Sequence, residues 1–95
     1  MLPAVVQLLA NVPNPFNPST TLRFTLPARG PVRLEVFNAA GRSVRTWTWK
    51  DLEAGIHGVL WDGRDARGQR LASGAYIVRL QAGGTQHTRR VILLK

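Results

Sequence analysis

The segment from Trp61 to Leu80, WDGRDARGQRLASGAYIVRL, is the most informative part of this chain for its fold. It leaves a strand on a large aromatic residue, crosses a loop rich in Asp, Gly and Arg, and enters a second strand of apolar and β-branched residues. The loop has turn chemistry, because Asp side chains accept hydrogen bonds from nearby backbone N–H groups and Gly tolerates a positive φ. We therefore expect this loop to have a structural role, in which it holds a defined turn conformation between the two strands.

Alternating apolar and polar residues predict more strands around this segment. The segments 20–26 and 32–36 both alternate, a turn at 38–41 leads into a third strand over 43–49, and Gly83–Gly84 indicates a hairpin into the last strand. We expect six or seven strands, no helix, and an all-β sandwich of two antiparallel sheets. The predicted core consists of Leu22, Phe24, Leu34, Val36, Val44, Trp61, Tyr76, Val78 and Leu80.

The third predicted strand has a register problem. Strict alternation would place Val44 inward, and Arg45, Trp47 and Trp49 together on the outer face. A β-bulge near Arg45 would turn the tryptophans inward. We expect a mostly buried Trp47, a partly exposed Trp49 and a loop over 50–55.

Several motifs together resemble one family. They are Asn14–Thr21 (NPFNPSTT), Ala54–His57 (AGIH), the segment that begins at Trp61, and Thr88–Lys95 (TRRVILLK). In this order they resemble the immunoglobulin-like module of the flagellar hook-capping protein, which is similar to the C-terminal sorting domain of type IX secretion. The resemblance covers roughly residues 8–95 and implies an immunoglobulin/fibronectin-III-like sandwich without catalysis or cofactors. It also implies an inward apolar residue at the Trp47 position, and hence the bulge near Arg45. Its structural signature residues are Asn14, Pro15, Phe16, Asn17, Pro18, Gly55, Trp61, Asp62, Gly63, Asp65, Gly68, Gly74 and Tyr76.

The length of 95 residues allows one domain, which we place at 11–95 after an apolar lead-in or first edge strand at 1–10. The lead-in packs either on its own sandwich or on a neighbour. It is too short to span a bilayer and lacks the basic start of a signal peptide. We expect either a fragment of a longer exported protein, with Met1 added for expression, or a free-standing subunit.

Prolines in 11–19 exclude a helix there, and Phe16 is expected to plug the end of the sandwich.

Composition and spacing argue against several kinds of catalytic and metal site. The chain has no cysteine, which excludes disulfides, thiolate catalysis and thiolate metal ligation. Asp62 and Asp65 lie among arginines and lack the distal Glu of a calcium loop, so turns and ion pairs are the better interpretation. His57 shares a face with Val59 and Trp61, which favours a satisfied inward or rim histidine over a catalytic base. We therefore expect no catalytic residue, no metal site and no enzyme.

The net charge of +8 favours anionic partners. The arginines are spread over almost every predicted strand and loop, which is typical of a solvated surface, so we expect no specific nucleic-acid partner. Weak, salt-sensitive binding to polyanions, such as acidic protein patches or anionic glycolipid, is the third functional hypothesis. Arg89 and Arg90 are candidates for one inward ion pair, with Glu35 as the suggested partner, and one outward contact. Trp49 is a further candidate interaction residue.

The first functional hypothesis is a non-catalytic accessory module of an exported bacterial protein, extracellular or on the cell surface. It acts as a C-terminal sorting and anchoring domain or as a structural domain. Its partners are then proteins, either the secretion machinery or neighbouring domains and subunits. The alternative is a self-associating structural subunit of an extracellular assembly, because an edge strand offers free backbone donors and acceptors.

Overall fold

A computed structural model describes residues 3–94, so the predictions made for Met1, Leu2 and Lys95 lie outside the described residues. Seven strands form within this range, and none of its segments is a helix long and apolar enough to cross a membrane. The strands are β1 (Gln7–Leu8), β2 (Thr20–Leu26), β3 (Gly30–Phe37), β4 (Ser43–Leu52), β5 (Gly55–Trp61), β6 (Gly74–Ala82) and β7 (Thr85–Leu93).

The strands pair into two antiparallel sheets. Sheet A has the order β1-β2-β5, and sheet B has the order β4-β3-β6-β7. The β3–β4 and β6–β7 hairpins supply local pairing in sheet B, whereas β2–β5 is a long-range pair. The prediction of an all-β sandwich is confirmed.

The core lies between the inner faces of the two sheets. In sheet A, β2 contributes Leu22, Phe24 and Leu26 to it, since residues two apart in a strand point to the same face. Every predicted core residue is buried except Val44, which is only partly buried at the edge of the core. The buried set also includes residues from the lead-in and from β7, namely Leu8, Val91 and Leu93.

A β-bulge in β4 resolves the register problem. Val36 pairs with Arg45 while the next residue, Phe37, pairs with Ser43, so Val44 is the extra residue. This confirms the predicted bulge and explains why Val44 does not enter the core. Beyond the bulge, Trp47 and Trp49 both pack against the core and are both partly buried, as expected for Trp49.

The connection between β4 and β5 is much shorter than predicted. β4 continues to Leu52 and β5 begins at Gly55, so the loop predicted over 50–55 consists only of Glu53 and Ala54. The longer β4 follows β3 as far as the pair Gly30 with Leu52. Pairing with a neighbour strand, which no local pattern reports, extended the element.

Three aromatic rings close one end of the sandwich. Trp61 is fully buried, with its ring centroid 5.2 Å from that of Phe16 and 5.6 Å from that of Tyr76. Its indole N–H donates to the Arg64 carbonyl at 3.0 Å, and the Tyr76 hydroxyl donates to the Ala72 carbonyl at 2.6 Å. Burial raises the pKa of Tyr76, which keeps this hydroxyl a donor at neutral pH. Phe16 plugs the end of the sandwich, as predicted.

Replacing Trp61 with Ala should lower the free energy of unfolding by about 3–5 kcal/mol, because it leaves a large cavity and removes the indole hydrogen bond to the Arg64 carbonyl. Urea denaturation followed by circular dichroism measures the change. Trp49→Ala is the matched control and should cost less, since that ring is already partly exposed. Equal losses for the two variants would contradict this account of the core.

A charged cluster lies on the outer face of sheet B. The nearly buried carboxylate of Glu35 accepts hydrogen bonds from Ser43 Oγ at 2.6 Å, Arg79 Nη2 at 3.0 Å and Arg33 Nε at 3.3 Å. Burial raises the pKa of Glu35, but the hydrogen bonds from Ser43, Arg33 and Arg79 outweigh it and hold the pKa below the ordinary value of 4.5. The ionised carboxylate therefore stabilises the folded state.

Glu35→Gln should lower the free energy of unfolding at pH 7 by about 1.5–3 kcal/mol, since it removes charge-assisted hydrogen bonds. Because the pKa of Glu35 is lowered on folding, its contribution is present above about pH 4.5 and disappears as the pH falls through the folded-state pKa. Urea midpoints at several pH values should show the two proteins converging in acid. Glu53→Gln, at an exposed position, is the control and should shift little. A gap of constant size from pH 7 to pH 3 would rule this out.

Candidate interaction surface

Most of the signature residues gather at one pole of the sandwich, whereas Gly55 lies at the other end of β5. The segment 14–18 pairs with the end of β7: Asn14 Oδ1 accepts a bond from the Ile92 N–H at 3.0 Å, Phe16 N–H donates to Ile92 O at 2.9 Å, and Leu94 N–H donates to Phe16 O at 2.8 Å. The Trp61 ring packs on Phe16 from the other side. The proline-rich segment is therefore built into the fold.

The loop after Trp61 is held by its two aspartates. Asp62 Oδ1 accepts from the Arg64 N–H at 3.1 Å and from Arg45 Nη1 at 3.3 Å, and Asp65 Oδ1 accepts from the backbone N–H groups of Arg67 and Gln69, both at 2.9 Å. Both carboxylates thus shape turns or pair with arginine, as expected. Within residues 3–94, no group of three or more acidic or histidine side chains could hold a metal ion.

Gly63 is required at this pole. Its φ is +74°, and a Cβ at this position would lie 2.8 Å from the Pro18 carbonyl oxygen. Both the backbone conformation and the lack of space exclude a side chain. The signature residues Gly55, Gly68 and Gly74 also have a positive φ.

His57 is a rim histidine, as predicted. Its Nε2 lies 2.7 Å from the Glu53 carbonyl oxygen, and its ring stacks on Phe24 with a centroid distance of 5.5 Å. The imidazole ring of His57 is thus used for packing and hydrogen bonding within the fold.

The candidate interaction residues Arg89 and Arg90 are exposed on β7, and Trp49 is partly buried on β4. Glu35 pairs with Arg33 and Arg79, so the suggested ion pair with Arg89 or Arg90 was wrong. Arg89 instead donates from Nε to the Leu8 carbonyl at 2.7 Å, which ties β7 to β1 and closes that side of the sandwich. Trp49 faces Phe24 in the core at a centroid distance of 5.9 Å.

The free edge of β5 is a candidate pairing site. Within residues 3–94, β5 pairs only with β2, and the backbone groups that point away from β2 can be assigned to residues. Leu9 N–H donates to Arg23 O, so the backbone of Arg23 points toward β1 and away from its partner Gly58. In an antiparallel pair, Gly58 then presents its own N–H and C=O to the free edge, and Ile56 and Leu60 do the same.

These residues also form the outer surface of β5. Ile56 is 71% exposed and Leu60 is 67% exposed, while His57, Val59 and Trp61 face the core, as predicted for that side of the strand. β5 carries no charged residue and no proline, which are the features that normally protect an edge from pairing. The free donors, the free acceptors and two large apolar side chains thus lie on the same residues.

The neighbouring edge, on β4, is partly covered. Ala66 N–H donates to the Val44 carbonyl at 3.0 Å, and the guanidinium of Arg45 lies 4.8 Å from the centroid of the Trp47 ring while it reaches Asp62. The loop after Trp61 therefore caps the start of β4. The edge of β5 has no such cover within residues 3–94.

Sequence patterns predicted unpaired sheet edges in general but did not identify β5 as a strand with such an edge. The signal was present in GIHGVLW, where Ile56 and Leu60 are apolar on the face opposite to Val59 and Trp61. A strand that is apolar on both faces and uncharged indicates either a central strand or an edge with a partner.

Comparison with known proteins identifies the family to which this chain belongs. A family model described as the FlgD Ig-like domain matches residues 16–86. The chain belongs to this family. The match contains the proline-rich pole from Phe16 onward, the whole of β5 and the loop after Trp61.

Among curated proteins, the basal-body rod modification protein FlgD of Salmonella typhimurium is 42% identical over 48 residues, which is 48% of this chain and 21% of that protein. The match thus spans about a fifth of the relative's length. Among solved structures, FlgD from Xanthomonas campestris is 26% identical with a TM-score of 0.63, over 93% of this chain and 64% of that one. Dimeric latent PorU from Porphyromonas gingivalis is 22% identical with a TM-score of 0.75, over 99% of this chain and 10% of that one, and this likeness concerns the fold alone.

Proposed function

We propose that this chain is a non-catalytic structural module of an exported bacterial assembly and that it joins a protein partner by strand addition to β5. The observation that carries the proposal is the open edge at Ile56, Gly58 and Leu60, where free backbone groups and exposed apolar side chains coincide. Strand addition obtains its affinity from main-chain hydrogen bonds and its specificity from alternate side chains. Membership of the FlgD Ig-like domain family supports the structural role.

FlgD from Xanthomonas campestris is associated with the hook capping that is essential for flagellar assembly. By analogy, this chain would serve as one domain of a longer cap or surface protein, outside the cell. The narrower form of the proposal is a sorting and anchoring domain, as the resemblance to type IX secretion domains implies. In both forms the partner is a protein.

Charge introduced on the β5 surface tests the proposal. The double variant Ile56→Lys with Leu60→Lys, made in the full-length protein that carries this chain, should fold but should not enter the extracellular assembly, because a lysine pair on an edge strand opposes pairing. Cell fractionation and immunoblotting measure incorporation. Loss of export itself would favour the sorting form, whereas normal export without incorporation would favour the structural form.

The matched control is Val5→Lys with Val12→Lys. Val5 and Val12 are 60% and 55% exposed and precede β2 in the chain, so this control adds the same charge to apolar positions of similar exposure away from the β5 edge. It should be incorporated normally. Normal incorporation of the β5 double variant would refute the strand-addition proposal. Point variants are preferable to deletion of 88–95, because that deletion removes Val91 and Leu93 from the core.

A second candidate function, self-association, is favoured by the symmetry of the β5 sequence. If two copies paired antiparallel about a two-fold axis through Gly58, Ile56 of each copy would lie opposite Leu60 of the other. Such an isologous contact is self-complementary. The charge of +8 on each copy opposes it, so pairing should strengthen as salt rises.

The absence of cysteine allows a direct test of this register. A mixture of Ile56→Cys and Leu60→Cys chains should form a mixed disulfide on mild oxidation, in preference to either homodimer, because directly opposed residues lie within disulfide reach. Non-reducing gel electrophoresis at low and high salt measures the products. Val5→Cys with Val12→Cys is the control pair. Random cross-linking, together with a monomeric mass by light scattering at all concentrations, would exclude self-association through β5.

A further inference from the structure

A cavity of about 390 Å³ opens at the pole that carries the signature residues. It lies between the turn at Asn17–Pro18, the loop after Trp61 and the end of β7. Its volume falls within the range of small-molecule sites. The interface proposed above does not use this cavity, because none of its lining residues belongs to β5.

The walls of the cavity are mainly apolar. Leu93 is buried and Leu71 is half-buried, and together with Pro18 and Leu94 they line the space. Gly63 forms part of the wall with no side chain to fill it. Such walls favour an apolar group and disfavour a strongly hydrated ion.

The charged lining residues are two arginines and one aspartate. Asp62 is already paired with Arg45, and the Arg64 guanidinium donates from Nη1 to the Gly68 carbonyl at 2.9 Å. Arg70 has no hydrogen-bond or ion-pair partner for its side chain within residues 3–94. The cavity is therefore apolar, with an uncommitted guanidinium at its rim and an excess of positive charge around it.

We infer that this cavity binds a carboxylate attached to a small apolar body, with Arg70 as the carboxylate-binding residue. The planar fork of a guanidinium matches the two oxygens of a carboxylate, and a pair formed beside apolar walls is less screened than one in open water. Leu71, Leu93 and Pro18 would contact the apolar part. The two sources of this chemistry are the C-terminal residue of a peptide and a free short-chain acid.

Titrations of the ¹⁵N-labelled chain, followed by NMR, test the assignment. The probes are a tetrapeptide that ends in leucine, the same peptide with an amidated C-terminus, hexanoate and inorganic phosphate. The free-acid peptide or hexanoate should shift the amide signals of Gly63, Leu71 and Leu94 in a saturable manner. Binding of the peptide alone identifies a peptide C-terminus as the ligand, and equal binding of hexanoate identifies a free acid.

Arg70→Gln should weaken binding about tenfold or more, since it removes a charge-assisted hydrogen bond. Arg67→Gln is the matched control, because Arg67 is exposed in the same loop but does not line the cavity, and it should bind like the unsubstituted chain. The inference is overturned if the amidated peptide binds as tightly as the acid, if phosphate shifts the same amides equally, or if no probe shifts them. None of these probes or variants touches β5, so failure here leaves the strand-addition proposal intact.

Discussion

Burial of the Trp61 indole holds the two sheets and the proline-rich segment together. The ring lies at the end of β5 and packs on Phe16 from the proline-rich segment and on Tyr76 from β6, so three separate parts of the chain meet on it. Its N–H bonds to the Arg64 carbonyl, which fixes the start of the following loop. A chain without disulfides depends on non-covalent contacts such as this one to hold its sheets together, and large aromatic rings bury the most area per residue.

The edges of the sandwich differ in how they are protected. At the Trp61 pole, Asp62 and Asp65 satisfy the backbone of the loop, and the loop in turn caps the β4 edge at Val44. On the opposite side, Arg89 bridges β7 to the Leu8 carbonyl and closes the gap between the sheets. The β5 edge remains open within residues 3–94. An open, uncharged edge in an otherwise protected sandwich favours pairing with a partner.

Charge is organised more locally than the net value suggests. Glu35 is shared by Arg33 and Arg79 on the outer face of sheet B, and Asp62 is shared by Arg45 and Arg64 near the pole. These ion pairs engage the carboxylates of Glu35 and Asp62 in structural contacts. The arginines that outnumber the acidic residues remain on the surface. The positive field therefore favours anionic groups in general, while a defined site needs apolar walls beside the cation, as in the cavity at Arg70.

Local sequence patterns were sufficient to predict the sandwich, its turns and most of its core. Period-two alternation and turn residues report local preferences, so β2, β3 and the inward face of β5 followed from spacing alone, whereas the bulge near Arg45 followed from the family resemblance. Edge status could not be predicted in this way, because it depends on pairing between distant segments. Within residues 3–94, β5 has a neighbour strand, β2, on one side only, which makes its other side the candidate interface. In the same way, tertiary structure paired Glu35 with Arg79 rather than with Arg89 or Arg90. The cavity at Arg70 likewise exists only because three segments far apart in sequence meet around the pole.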